Sequence, residues 1–258
     1  MNVKRKLGGY YLEFRTCLDA VLKRREILQK RKFLIFGQGR TGSTLLASML
    51  DSHSQIYCVG EPLFHKKLFP RLYLHGCAAV THKPMAGFHV KCYQLTEDQK
   101  MKEPKAFLKG LVDDGWKLIY LKRSNLFRHA VSPLIASKRN LWHVDNKKGK
   151  RSLEPVELDP QVILERIHAR EEYGRIDREL LEGFDFLPIE YESDLLKSDH
   201  WKNTHEKLCS FLDVPFEDLY SPLKRTTNSR LEDTLVNFGE IRKYLTEKGY
   251  GHFIDSEG

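Results

Sequence analysis

The stretch FGQGRTGST, residues 36–44, combines closely spaced glycines with one cation and several hydroxyls. Gly37, Gly39 and Gly42 match G-x-G-x-x-G, the pattern of dinucleotide-binding loops, while Gly37 and Gly42 also match the G-x-x-x-x-G of phosphate loops. In the second pattern, Ser43 stands where a nucleoside triphosphatase has its lysine. A glycine loop that enters a helix offers backbone N–H groups and the positive end of the helix dipole. Both patterns therefore predict an anionic ligand: the first predicts a dinucleotide, and the second predicts another phosphorylated ligand.

A second basic segment, LKRSNLFRHAVS at 121–132, follows another apolar run. Arg123 lies two residues past the end of the predicted strand KLIYL, and Ser132 lies in the helix predicted to follow. Because the carboxyl ends of parallel strands share one crevice, we expect both residues to face the same cleft as Arg40. An arginine and a hydroxyl suit a second, separate phosphate. Two anion sites predict a nucleotide with phosphates at both ends of its ribose.

The surrounding pattern alternates strands with helices. KFLIF, 32–36, is predicted to be the buried strand before the loop, and STLLASMLDS the helix after it. Further strands are predicted at 55–59, 87–93, 117–121 and 184–192, and further helices within 103–116, 126–137, 161–182 and 200–214. This order predicts an α/β fold, one domain over 1–258 with a central parallel sheet flanked by helices.

Two segments stand apart from this alternation. Residues 1–31 are basic and predict a helical extension, amphipathic around Tyr11 to Gln29, which we expect to pack on the domain rather than on acidic lipid. Residues 141–160 lose periodicity and carry a basic cluster and two prolines, which predicts a mobile loop that could act as a substrate lid.

Composition narrows the partners and the compartment. The net charge of +8 favours anionic partners. Five widely spaced cysteines without a C-x-x-C pair indicate free thiols in a reducing compartment. No apolar run reaches the roughly 20 residues of a membrane span, and no signal-peptide core is present. These features predict a cytoplasmic protein without a transmembrane segment; its oligomeric state stays open.

Three other functions are alternatives to the binding of a bisphosphate nucleotide. A NAD(P)-dependent oxidoreductase needs an acidic residue about 20 positions after the loop, and Glu61 lies roughly there. Pro62 directly after it, and Arg40, Ser43 and Thr44 inside the loop, are unlike dinucleotide folds. A nucleoside triphosphatase is disfavoured by the missing lysine and by the absence of a strand ending in a clear aspartate. A non-catalytic basic protein that binds nucleic acid or lipid is the third alternative.

The motifs resemble those of sulfotransferases that use 3′-phosphoadenosine 5′-phosphosulfate, above all the bacterial Nod-factor and glycolipid types. GRTGSTLL is similar to their 5′-phosphosulfate loop, and LKRSNLFRHAVS to their 3′-phosphate segment. GEPLF (60–64), GFHVKCYQ, IEYESDLL (189–196) and VNFGEIRKYLTEKGY are weaker likenesses. The resemblance runs from about residue 32 to 250 and implies a P-loop-like fold. It departs from the family where His89 replaces a more usual lysine.

The resemblance implies a role for each candidate residue. Arg40 would stabilise the departing phosphate, and Glu61, with His89 as second choice, would be the base. The 3′-phosphate would lie against Arg123 and Ser132. The remaining donor-binding residues would be Gly39, Thr41, Gly42, Ser43, Thr44 and Leu45 of the loop, Tyr191 near the adenine, and Lys224 and Arg225, with Arg230 near them in the tail.

The implied reaction uses no metal and leaves adenosine 3′,5′-bisphosphate as product. The acceptor would be a hydroxyl or amine of a carbohydrate, glycolipid or specialised metabolite, and nucleic acid is not expected as a partner.

Overall fold

The computed structural model describes residues 3–139, 154–223 and 230–255. The described residues form one five-stranded sheet in which every neighbouring pair is parallel. Its strands are β1 (Arg31–Gly37), β2 (Ile56–Cys58), β3 (Met85–Val90), β4 (Trp116–Lys122) and β5 (Phe186–Glu190). The five predicted strands and the α/β fold class are thereby confirmed, with strand ends shifted by a few residues.

The strand order is β2-β3-β1-β4-β5, so β1 lies at the centre of the sheet. Ile35 of β1 is in register with His89 of β3 on one side and with Ile119 of β4 on the other. β2 and β3 lie on one side of β1, and β4 and β5, which come later in the chain, lie on the other side. The carboxyl ends of β1, β3 and β4 therefore meet where the strand order reverses, which is where open α/β sheets bind ligands.

Helices cover both faces of the sheet. The α-helices are α1 (Val3–Leu22), α2 (Arg24–Gln29), α3 (Ser43–Ser52), α4 (Pro70–Ala79), α5 (Pro104–Asp113), α6 (Leu126–Lys138), α7 (Pro160–Leu181), α8 (Trp201–Leu212), α9 (Phe238–Glu247) and α10 (His252–Asp255). Phe33 and Ile35 of β1 pack in a core with α3 and α8, while Leu34 and Phe36 pack in a second core with α4, α5 and α7. Successive side chains of β1 are thus all buried, as expected for a central parallel strand.

Several local predictions differ from the structure. The helix predicted around Tyr11 to Gln29 is two helices, α1 and α2, interrupted at Lys23. The strand predicted to reach residue 93 ends at Val90, and a single π-helical turn over Gln94–Asp98 follows it. The helix α4 was not predicted. Its first residue is Pro70, which suits a helix start because proline lacks the N–H that would be unpaired there.

The expected lid and tail are described only in part. Residues 141–153 of the predicted 141–160 loop, and residues 224–229 and 256–258 of the tail, lie outside the described residues. Where the description resumes, Val156 forms backbone hydrogen bonds with Thr234 and Val236, and Leu158 is buried. Within the described ranges, no helix is long and apolar enough to cross a membrane.

Candidate functional site

The glycine loop joins β1 to α3 at the central strand, as predicted. Gly42 precedes the helix with a φ of 89°, and a Cβ there would stand 2.5 Å from the Tyr191 ring. Glycine is needed at this position because another residue would be strained and would also clash. A Cβ on Gly39 would stand 2.8 Å from the Tyr93 hydroxyl and 3.7 Å from Lys91 Nζ. The loop backbone is therefore packed between β5 on one side and the end of β3 on the other.

The loop and the second basic segment are in direct contact. Arg40 Nε donates a hydrogen bond to Ser132 Oγ at 3.1 Å, and Arg123 Nη1 donates to the Arg40 carbonyl at 3.3 Å. The Arg123 guanidinium lies 4.7 Å from the centre of the Tyr191 ring. Burial, and then the charge of Arg123, lower the pKa of Arg40. Two cations thus share a partly desolvated crevice, where an anion between them would relieve their mutual repulsion.

Arg123 is fixed by a carboxylate that the sequence analysis did not single out. Glu192 Oε1 lies 3.4 Å from Arg123 Nε. The same carboxylate accepts hydrogen bonds from the backbone N–H of Ser124 at 2.9 Å and of Asn125 at 3.3 Å. Glu192 therefore orients the arginine and satisfies backbone donors at the start of α6. Its position just past the end of β5 was the available signal, since that end adjoins the end of β4.

A buried histidine braces the loop from α6. His129 Nε2 donates to the Gly39 carbonyl at 2.7 Å. Burial, with the charge of Arg170 next in size, holds the pKa of His129 well below its usual range. A neutral imidazole there leaves the positive charge of the crevice to arginines and lysine. No sequence pattern pointed to this residue, because its contact spans 90 positions.

The predicted base candidates lie together, with a lysine that was missed. Lys91 Nζ is 2.5 Å from Glu61 Oε2, and Gln94 Nε2 donates to the same oxygen at 3.0 Å. His89 Nδ1 lies 3.4 Å from Glu61 Oε1. Lys91 also borders Gly39 of the loop, so it stands between the carboxylate and the loop. The sequence signal for Lys91 was its place two residues after His89, on the same side of the strand end.

These contacts set the charges of the cluster. Burial by itself would raise the pKa of Glu61, but the hydrogen bonds of His89 and Lys91 and the adjacent positive charge outweigh it and lower that pKa to about 2. Burial lowers the pKa of His89, which is neutral at pH 7 and directs its Nδ1–H to the carboxylate. His89 Nε2 is buried and has no hydrogen-bond partner among the described residues. The cluster therefore combines an ionised glutamate, a neutral histidine and a lysine.

The other predicted donor-binding residues occupy different environments. Thr41 is buried, and its hydroxyl donates to the Gln38 carbonyl at 2.8 Å. Ser43 is buried in the first turn of α3, whereas Thr44 beside it is exposed and Leu45 is half-buried. No side chain caps α3. Arg230 is exposed, and Lys224 and Arg225 lie outside the described residues.

A metal centre is not formed by the described part of the chain. Within it, no group of three or more histidine, cysteine, aspartate or glutamate side chains could hold an ion. The cationic side chains that the structure places in the crevice are Arg40, Arg123 and Lys91.

The chain was compared with protein-family models, with curated proteins and with solved structures. The chain matches no protein-family model, and no curated protein is similar enough in sequence to count as a relative. Among solved structures, it is similar to a sulfotransferase domain from the curacin biosynthetic pathway. The two share 17% sequence identity over 86% of this chain and 98% of that one, with a TM-score of 0.43.

Proposed function

We propose that this protein is a sulfotransferase that moves a sulfuryl group from 3′-phosphoadenosine 5′-phosphosulfate to a hydroxyl or amine of a small-molecule or glycan acceptor. The observation that carries the proposal is the direct contact between the two anion-binding segments. Arg40 of the loop bonds Ser132 of α6, and Arg123 bonds the Arg40 carbonyl. A nucleotide with phosphates at both its 3′ and 5′ positions fits such a pair of adjoining sites better than a 5′-phosphate alone.

The strand order argues against a dinucleotide oxidoreductase. In that fold, the strand that ends in the ribose-binding acid lies next to the strand before the glycine loop. Here β3 separates β2 from β1, so Glu61 follows an edge strand. Glu61 is also engaged by Lys91 and Gln94 rather than turned toward a ribose. Neither the placement nor the contacts of Glu61 suit nicotinamide chemistry.

The cations of the crevice would act on the donor. During sulfuryl transfer, negative charge builds on the phosphate oxygen that leaves, and a fixed cation next to it lowers the barrier. Arg40 is assigned this role because it projects from the loop and is already oriented by Ser132. Lys91 borders the same loop at Gly39, so it is placed to bind an oxygen of the transferring sulfuryl group.

Glu61 would receive the proton of the acceptor. A carboxylate with a pKa of about 2 is ionised but is a weak base while Lys91 and His89 hold it. When the sulfuryl group draws Lys91 toward the loop, Glu61 loses a donor and its basicity rises. We therefore assign Lys91 a double role, in which binding of the donor activates the base.

Incubation of the purified protein with the donor and a panel of sugars, glycolipids and phenolic metabolites tests the function. The expected result is an acceptor that gains one SO₃ group in its mass spectrum, with release of one adenosine 3′,5′-bisphosphate per acceptor modified. The matched control is adenosine 5′-phosphosulfate, which lacks the 3′-phosphate and should be a poor donor. Saturable binding of NAD(P) with no binding of adenosine 3′,5′-bisphosphate would overturn the proposal.

A further inference from the structure

The N-terminal helix presents an apolar face that the core does not use. α1 buries Glu13, Cys17 and Ala20 on the side that packs against α4. At 100° per residue, the side chains of the neighbouring stripe point away from the core. These are the exposed residues Tyr10, Phe14, Leu18 and Val21. Such a row is unusual on a protein surface, where large apolar side chains are more often scattered singly.

Two more apolar side chains lie next to this face, and a buried carboxylate of α1 holds their backbone in place. Glu13, 4% exposed, accepts hydrogen bonds from the backbone N–H of Leu68 at 2.6 Å and of Phe69 at 3.2 Å. The Leu68 and Phe69 side chains are nevertheless 65% and 63% exposed. A groove of about 240 Å³ runs between them and α1. We call Tyr10, Phe14, Leu18, Val21, Leu68 and Phe69 the apolar ridge; Glu13 fixes its two halves relative to each other.

Exposed cations lie close to the apolar ridge along the chain. Arg15 lies on α1, Arg24 and Arg25 on α2, and Lys66 two residues before Leu68. The acids among these neighbours are Glu26, which is exposed, and Asp19, which is half-buried. A second copy of the chain would bring the same cations and the same net charge of +8 to the contact, which would repel. An anionic surface would instead attract them, so charge complementarity favours a lipid partner over self-association.

We propose that the apolar ridge and its neighbouring cations dock the protein on an anionic lipid surface. The aromatic and aliphatic side chains would enter the headgroup region while the arginines and Lys66 contact the lipid charges, as amphipathic interfacial helices do. Docking of this kind needs no rearrangement of the fold, because the ridge is exposed already. The proposal is independent of the chemistry in the crevice.

Flotation of the full-length protein with vesicles tests the proposal. Vesicles of phosphatidylcholine alone should bind weakly, and an equal mixture with phosphatidylglycerol should bind strongly, with loss of binding as salt is raised. Leu18→Ser combined with Phe69→Ser should lower the partition coefficient at least about tenfold. Both positions are exposed, so unchanged thermal unfolding should verify that the variant is folded.

Two further variants test the contribution of the cations to vesicle binding. Arg24→Ala and Arg25→Ala should each lower partitioning into the anionic vesicles about fivefold and leave binding to neutral vesicles unaltered. The matched controls are Val236→Ser, an exposed apolar residue outside the ridge, and Lys243→Ala, an exposed cation of α9. Both controls should bind vesicles like the wild type.

Three results would overturn the proposal. Wild-type protein that fails to float with the anionic vesicles has no such surface. Equal losses in the control variants would show a general charge effect instead of a defined ridge. A dimer in analytical ultracentrifugation that the Leu18→Ser and Phe69→Ser pair dissociates, without vesicle binding by the wild type, would make the ridge an interface between two copies.

Discussion

Replacement of Arg123 by alanine should separate two nucleotides that differ only in a 3′-phosphate. The Arg123 side chain is 11% exposed, and Glu192 and Tyr191 hold it in one orientation. A charge-assisted hydrogen bond from such a preoriented group contributes about 1.5–3 kcal/mol. Arg123→Ala should therefore weaken adenosine 3′,5′-bisphosphate about 10- to 150-fold, and adenosine 5′-monophosphate much less.

The variant should remain folded, because Glu192 still accepts the backbone hydrogen bonds of Ser124 and Asn125 when the guanidinium is removed. Isothermal titration calorimetry with both nucleotides measures the two losses in the same buffer. Lys122→Ala is the matched control. Lys122 is the adjacent cation, 45% exposed and 3.7 Å from Glu190, so its removal should change either affinity no more than about twofold.

Arg123 has a second possible role, which the same experiment can detect. Arg123 Nη1 donates to the Arg40 carbonyl, so the arginine could shape the glycine loop without touching a ligand. In that case Arg123→Ala would weaken both nucleotides by the same factor. Equal losses would refute the assignment of a 3′-phosphate site, whereas a loss confined to the bisphosphate would support it.

Further predictions concern the loop and the carboxylate cluster. Arg40→Ala should lower kcat about 100-fold or more while nucleotide affinity falls less, and unaltered kcat would show that Arg40 does not face the reacting group. Glu61→Gln should remove most turnover at unchanged nucleotide affinity and His89→Ala should remove less; the opposite ranking would contradict the assignment of the base to Glu61. Lys91→Met should raise the pKa of Glu61 toward its ordinary 4.5 and move the acidic limb of the pH–rate profile upward, and an unmoved limb would contradict the pairing. Because the pKa of Glu61 is lowered on folding, its contribution to stability relative to Glu61→Gln should be complete above pH 4.5 and lost as pH falls toward 2. Urea unfolding at a series of pH values measures this difference, which should not exceed about 3 kcal/mol.

The fold could be predicted from the sequence because its strands are continuous apolar runs bounded by glycines and charges. KFLIF and residues 118–121 of KLIYL are buried on both faces, and no helical periodicity competes with that pattern. Strand order could not be predicted, since pairing depends on contacts between distant segments. The edge position of β2, which decides against a dinucleotide site, is visible only in the structure.

The arrangement of the candidate site could be predicted where the residues belong to one local segment. The glycine loop and the Arg123 segment each have a recognisable sequence, and the shared edge of a parallel sheet was enough to bring them together. Three residues could not be predicted, because each contacts a partner that is far away along the chain: Lys91, His129 and Glu192. Glu61 and Lys91 are 30 positions apart, and the π-helical turn that returns Gln94 to the same carboxylate has no clear sequence signal.

The sequence offers Glu61 and His89 as alternative bases, and the structure brings them side by side, which changes what their mutations mean. His89 Nδ1 faces Glu61 Oε1, so alanine at 89 removes a donor from the carboxylate and raises its basicity. A modest loss in His89→Ala could therefore combine poorer orientation of Glu61 with better proton acceptance, and turnover at one pH would not separate them. The pH–rate profile does: a base at Glu61 shifts its limb upward in His89→Ala, whereas a base at His89 Nε2 removes that limb altogether. The position of the limb, rather than the size of the loss, identifies the group that takes the proton.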